Sequence, residues 1–196
     1  AMLSINHQDS LWENEARLLD FSGKKWIIGV DEVGRGCLAG PVTAAAVLFI
    51  IRPIRVNVKD SKAVSVKKRE VLLSEILQSK PHIGIGFCSA QVIDKMNILN
   101  ATKLAMSKAI HRCLQGIPPH LYDQIQVCID GNFTVPLSEN LLQSSVVKGD
   151  SFIASIASAS IVAKVTRDRY MTSISRFYPE YQLHQHKGYG TPQHYH

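Results

Sequence analysis

Three apolar runs of strand length in this chain of 196 residues each lead into a carboxylate. Trp26-Ile27-Ile28-Gly29-Val30 runs into Asp31-Glu32, Gln126-Val127-Cys128-Ile129 into Asp130, and Val146-Val147-Lys148-Gly149 into Asp150. Short runs rich in Val and Ile form buried strands. If these strands are neighbours, their acidic ends converge at one edge of a sheet, where open α/β folds place their sites. Each acid taken alone also reads as ordinary local chemistry: Asp130-Gly131-Asn132 is a turn sequence, and Asp150 before a helix is an N-cap. The joint pattern is what points to a site.

The rest of the chain fills in around these runs. Residues 42–51 form another apolar run after the Gly34-Arg35-Gly36 turn, which predicts a hairpin with the first, and residues 83–90 predict a further strand. Helical spacing appears at residues 11–19, at 65–77 with Ser65 as N-cap, at 98–114 before Gly116 and Pro118-Pro119, and at 151–177. The last of these is small and apolar in its first half, suited to close packing on a sheet, and charged in its second, with Lys164, Arg167, Asp168 and Arg169. Hairpin strands followed by mixed strands and helices predict an α/β fold with a mixed sheet covered by helices, in one domain spanning residues 1–196.

Composition narrows the function classes. Net charge is +6, which suits a polyanionic partner such as nucleic acid. Cys37, Cys88, Cys113 and Cys128 contain no C-x-x-C pair, which favours a reducing, cytoplasmic setting over a disulfide framework or zinc knuckle. No apolar stretch approaches the roughly 20 residues needed to span a bilayer, so no membrane partner is expected.

Clustered carboxylates repel one another and raise each other's pKa unless a cation neutralises them. Hard oxygen donors suit Mg²⁺ or Mn²⁺, and a pair of such ions about 4 Å apart supports phosphodiester hydrolysis without a side-chain nucleophile. The sequence has no G-x-S-x-G elbow and no H-E-x-x-H. Gly34-Arg35-Gly36 after the acidic pair lets backbone amides approach a phosphate or sugar. Lys59-Asp60-Ser61-Lys62 and Lys67-Lys68-Arg69 are either solvated surface or phosphate contacts. Tyr189, between glycines in His186-Lys187-Gly188-Tyr189-Gly190, can stack on a sugar or base. His184, His186, His194 and His196 near the chain end read as ordinary surface histidines.

Taken in order, Gly29-Val30-Asp31-Glu32-Val33-Gly34-Arg35-Gly36 with Leu38-Ala39-Gly40-Pro41-Val42 resembles the opening signature of ribonuclease HII. The similarity continues through Lys59-Asp60-Ser61-Lys62, Asn97 to Thr102, Ile129-Asp130-Gly131-Asn132, Val147-Lys148-Gly149-Asp150, Ala163 to Asp168 and His186-Lys187-Gly188-Tyr189. The resemblance implies a ribonuclease H-like fold, a mixed five-stranded sheet flanked by helices. It implies that Asp31, Glu32, Asp130 and Asp150 bind the divalent metals, Mg²⁺ or Mn²⁺, two ions during catalysis. It implies that the Gly34-Arg35-Gly36 backbone reads the ribose 2′-hydroxyl, that Tyr189 stacks on the next sugar at an RNA–DNA junction, and that Lys62, Asn97, Lys164 and Arg167 contact backbone phosphates. The implied reaction is hydrolysis of RNA in RNA–DNA hybrids and on the 5′ side of single ribonucleotides in duplex DNA, leaving 3′-hydroxyl and 5′-phosphate ends, by a monomeric enzyme. Members of that family continue past the His-Lys-Gly-Tyr motif into a further helical segment, and the resemblance leads us to expect that segment missing or shortened in these 196 residues.

Two alternatives stay open on the residues alone. Another nuclease of the ribonuclease H fold would use similar acids without sensing the 2′-hydroxyl, and a basic nucleic-acid-binding module would carry the acids only as turn caps. An aspartyl-phosphate phosphatase acting through Asp31 is a weaker third. A glycosidase fits poorly with the positive charge and the 7% aromatic content.

Overall fold

A computed structural model describes residues 10–53, 56–58, 64–138 and 140–191. Helix α1 (Leu11–Ser22) opens on a capping box, in which Ser10 and Glu13 satisfy each other's backbone amides, and closes on Gly23 in the left-handed region. Strands β1 (Trp26–Val33), β2 (Val42–Leu48) and β3 (His82–Cys88) form an antiparallel meander, with α2 (Val66–Gln78) inserted between β2 and β3. Helices α3 (Ala90–Met96) and α4 (Ile98–Cys113) lead to β4 (Ile125–Asp130) and β5 (Leu142–Val146). The long α5 (Ala154–Ile174) and the short α6 (Leu183–His186) complete the order.

The sheet order is β3-β2-β1-β4-β5, with β4 parallel to β1 and β5 parallel to β4. It is the mixed five-stranded α/β sheet expected of a ribonuclease H-like fold. Alternating side chains divide the core between two faces. Ile28, Val30, Ala44, Ala46, Val127 and Ile129 pack with Ala105, Met106, Ala109 and Ile110 of α4. On the opposite face Ala45 and Val47 pack with Leu72, Leu73 and Ile76 of α2 and with Ala154, Ala157 and Ile161 of α5.

One glycine explains why α5 sits where it does. A Cβ at Gly29 would lie 2.1 Å from the backbone carbon of Ser155 and 2.2 Å from the nitrogen of Ile156. The first turn of α5 therefore rests on the backbone of β1, two residues before Asp31. The small side chains at the start of α5 permit the same approach from the helix side.

Several expected boundaries move. The first strand does not stop before its acids: β1 continues through Asp31 and Glu32 because β2 pairs with it up to Val33↔Thr43. Pairing with β4 ends earlier, at Val30↔Ile129. The run at residues 42–51 ends as a strand at Leu48, and Ile51 is exposed. The brief strand expected at Val146-Val147 is instead β5, which ends at Val146, with Val147 exposed. Its sequence, Leu-Gln-Ser-Ser-Val, carries no apolar run because it is an edge strand with partly exposed side chains. Among the described residues, no helix is long and apolar enough to cross a membrane.

Candidate active site

Where β4 leaves β1, the sheet opens and three acids meet. One carboxylate oxygen each from Asp31, Asp130 and Asp150 lies within 4.8 Å of the other two. Asp31 and Asp150 are 3% exposed, and Asp130 is half-buried. Each comes from a different piece of backbone. Asp31 is on β1, Asp130 is the last residue of β4, and Asp150 is in the 3-10 turn Gly149–Ser151 that precedes α5. The Gly149 amide donates to Asp130 Oδ1 at 2.8 Å, tying the β4 end to that turn. The Glu32 amide donates to Asp31 Oδ1 at 2.7 Å.

Glu32, expected with these three, stands beside them rather than among them. Successive strand residues point to opposite faces, so Glu32 cannot follow Asp31 into the α5-side cluster. Its carboxylate pairs with Arg35 Nη1 at 3.4 Å. Burial pushes its pKa up; the Asp130 charge adds to that rise and the Arg35 guanidinium opposes it. Glu32 thus feels the field of the cluster from its rim.

The Gly34-Arg35-Gly36 turn follows directly, with Gly34 at φ +103°. Arg35 is exposed and lies 5.6 Å from the Phe133 ring centroid. Tyr189 is 37% exposed, with Lys164 Nζ at 4.9 Å and Arg167 Cζ at 5.5 Å from its ring centroid. Its hydroxyl hydrogen-bonds the Cys37 sulfur; burial raises both the phenol and the thiol pKa, and Arg167 opposes each rise. The turn after β1 and the C-terminal loop are therefore in contact.

The expected phosphate contacts divide. Lys62 lies outside the described residues, as do His194 and His196. Asn97 is at the α3–α4 junction with φ 69°, and its side-chain oxygen caps α4 by accepting from the Asn100 amide at 3.0 Å. Lys164 is ion-paired with Asp168 at 3.0 Å beside Tyr189. Arg167 corrects the expectation: it is 0% exposed, and its guanidinium donates to the carbonyls of Pro41, Lys187 and Ala39. A fully buried guanidinium held by three carbonyls does not face a substrate phosphate.

One residue that supports the site escaped sequence reasoning. Glu15 of α1 accepts from the Ser155 amide at 2.7 Å and from its hydroxyl at 2.8 Å. Ile153, at the N-cap of α5, has no side chain able to do this. Burial pushes the Glu15 pKa up to about 7, against the lowering effect of the two Ser155 hydrogen bonds. In the sequence it looks like any surface acid of an amphipathic helix.

Comparison with known proteins agrees with this geometry. The family model for ribonuclease HII matches residues 28–196. A ribonuclease HII of Caldicellulosiruptor bescii is 43% identical over 98% of this chain and 88% of its own. One from Pseudothermotoga lettingae is 47% identical over 86% of this chain and 69% of its own.

The chain belongs to the ribonuclease HII family.

Among solved structures, the ribonuclease HII in a complex with PCNA from Archaeoglobus fulgidus superposes with a TM-score of 0.67 at 26% identity, covering 86% of this chain and 84% of that one. Ribonuclease HII enzymes are endonucleolytic hydrolases of RNA paired with DNA, and this chain is one of them. The donor set at the sheet opening suits that chemistry: three carboxylates this close are acceptable at neutral pH with a hard divalent cation between them.

Proposed function

We propose that this ribonuclease HII cuts on the 5′ side of a ribonucleotide, in long hybrids and in otherwise all-DNA duplexes, through a two-metal-ion site on Asp31, Asp130 and Asp150 with Glu32 at its rim. The observation that carries this reading is the trio of carboxylate oxygens within 4.8 Å at the opening between β1 and β4. Oxygen-only donors favour Mg²⁺ or Mn²⁺ over softer metals. Divalent ions held there supply Lewis-acid stabilisation of the charge that builds on the scissile phosphate, so no side-chain nucleophile is needed.

The chain's own residues do the rest. Asp130 is oriented by the Gly149 amide, so its position follows that of the turn carrying Asp150. Glu32, close enough to Asp130 to feel its charge, adds a further carboxylate oxygen donor at the rim of the metal site. The backbone of Gly34-Arg35-Gly36 reads the 2′-hydroxyl, the group that distinguishes RNA from DNA. Tyr189 packs against the neighbouring deoxyribose, Lys164 and Asn97 contact phosphates, and Lys62 takes the same role by its place in the Lys59-Asp60-Ser61-Lys62 motif.

The test is incubation of a duplex DNA carrying one ribonucleotide with and without Mg²⁺, followed by mapping of the ends. A single nick 5′ of the ribonucleotide, with 3′-hydroxyl and 5′-phosphate ends, is expected only with the metal. Equal cutting of an all-DNA duplex would overturn the 2′-hydroxyl reading.

A further inference from the structure

Arg167 is the largest fully buried side chain in the described structure. Its guanidinium bonds three carbonyls on two stretches of chain. Nε donates to Pro41 O at 3.0 Å, Nη2 to Ala39 O at 3.0 Å and Nη1 to Lys187 O at 2.7 Å. The stretches it joins also bond each other: the Leu38 and Ala39 amides donate to Gly188 O at 2.8 and 3.2 Å. A Cβ at Gly34 would lie 2.7 Å from Arg167 Nε, and one at Gly188, where φ is +84°, would lie 2.2 Å from Ala39 O. Tyr189, the next residue, has its ring centroid 5.5 Å from Arg167 Cζ. The connection at 38–41 and the loop at 187–189 thus share one buried cation anchored on α5, and the turn at 34–36 packs closely against it at Gly34.

We infer that Arg167 is a positioning residue for ribonucleotide recognition: it locks the 2′-hydroxyl-reading turn and the Tyr189 ring into one unit of fixed spacing. This rests on the proposed roles of Gly34-Arg35-Gly36 and Tyr189. The rigid, planar fork of an arginine reaches three diverging carbonyls at once, whereas a lysine ammonium is a single point charge on a flexible stem. A phosphate contact has the opposite signature, since phosphate attracts either cation and releases counterions on binding.

The experiment uses the full chain with Arg167→Lys and Arg167→Met. kcat and KM are measured on a duplex with a single ribonucleotide, and the salt dependence of binding to the same duplex is measured in an Asp130→Asn background. Both variants are expected to lose about 10²-fold in kcat, the scale of a misplacement near 1 Å. KM and the slope of log affinity against log salt should stay near wild type, and Lys should not rescue. A slope reduced by about 0.9, the loss of one phosphate contact, together with rescue by Lys would overturn the inference. So would a lower melting temperature with kcat and KM unchanged, the mark of a purely structural role. If both variants fail to fold, Gly188→Ala perturbs the same junction with Arg167 retained; a matching loss of kcat is expected, and wild-type kcat would refute the coupling. Failure of the unaltered chain to cut the ribonucleotide duplex would sink the functional reading itself, before any variant is tested.

Discussion

The two halves of α5 do different work with different residues. The first half is Ala-Ser-Ile-Ala-Ser-Ala-Ser and lies against β1 at the Gly29 backbone, fixing how far the turn bearing Asp150 sits from Asp31. The second half carries Lys164, Arg167 and Asp168, and reaches the 38–41 connection and the Tyr189 loop through polar contacts. Apolar close packing thus sets the distances among the acids, and directional hydrogen bonds set the place of the loops at 38–41 and 187–189. One helix can serve both ends because it is stiff over 21 residues. The lesson is that steric contact suffices where backbones touch, while loops that pack against no sheet need a charged fork to hold them.

That contrast can be broken at either end. The largest effect is expected from Asp130→Asn, which removes one donor and little packing: cleavage should fall by about 10³-fold or more, roughly 4 kcal/mol of barrier, with the melting temperature nearly unchanged. Steady-state rates beside a thermal melt check this, and unimpaired turnover would remove Asp130 from the site. Next is Gly29→Ala, which puts a methyl group into the α5 backbone; about 3 kcal/mol or more of stability should be lost, at the upper end for overpacking, in a urea titration.

Glu15→Gln sharpens the comparison through pH. The Glu15 carboxyl is raised from 4.5 to about 7 in the folded protein, so between those values the folded chain binds more protons than the unfolded one. Its contribution is fully present below about pH 4.5 and is lost as pH rises to about 7. The wild type should therefore lose on the order of 3 kcal/mol relative to Glu15→Gln across that window. Denaturation at pH 4.5, 6 and 8 reads the difference, and parallel pH profiles would mean that Glu15 is not proton-linked to folding. The smallest effect belongs to Tyr189→Ala. It should reduce cutting at a lone ribonucleotide about tenfold, ~1.4 kcal/mol, with a smaller loss of binding, as measured by single-turnover rates against equilibrium affinity. Equal losses in rate and binding would argue against a junction-checking ring.

Much of this protein is legible from local pattern. Strand-length apolar runs, helical spacing and acids at run ends predicted the mixed sheet, its helices and the meeting of Asp31, Asp130 and Asp150, because burial and period are properties of contiguous residues. Edge strand β5 was misplaced because a partly exposed strand leaves no apolar run to read.

The fates of individual charged side chains were a different matter. Glu32 parts from Asp31 by strand alternation once β1 is seen to continue through both acids. Arg167 becomes a buried clamp through a carbonyl 126 residues away, and Glu15 caps a helix 140 residues away. A charge takes its role from whichever dipoles surround it, and those arrive only when distant segments pack. By itself, then, the sequence determined most of the elements, the family and the meeting of Asp31, Asp130 and Asp150. The tertiary structure alone decided which ionic groups stay at the surface and which are buried as clamps and caps.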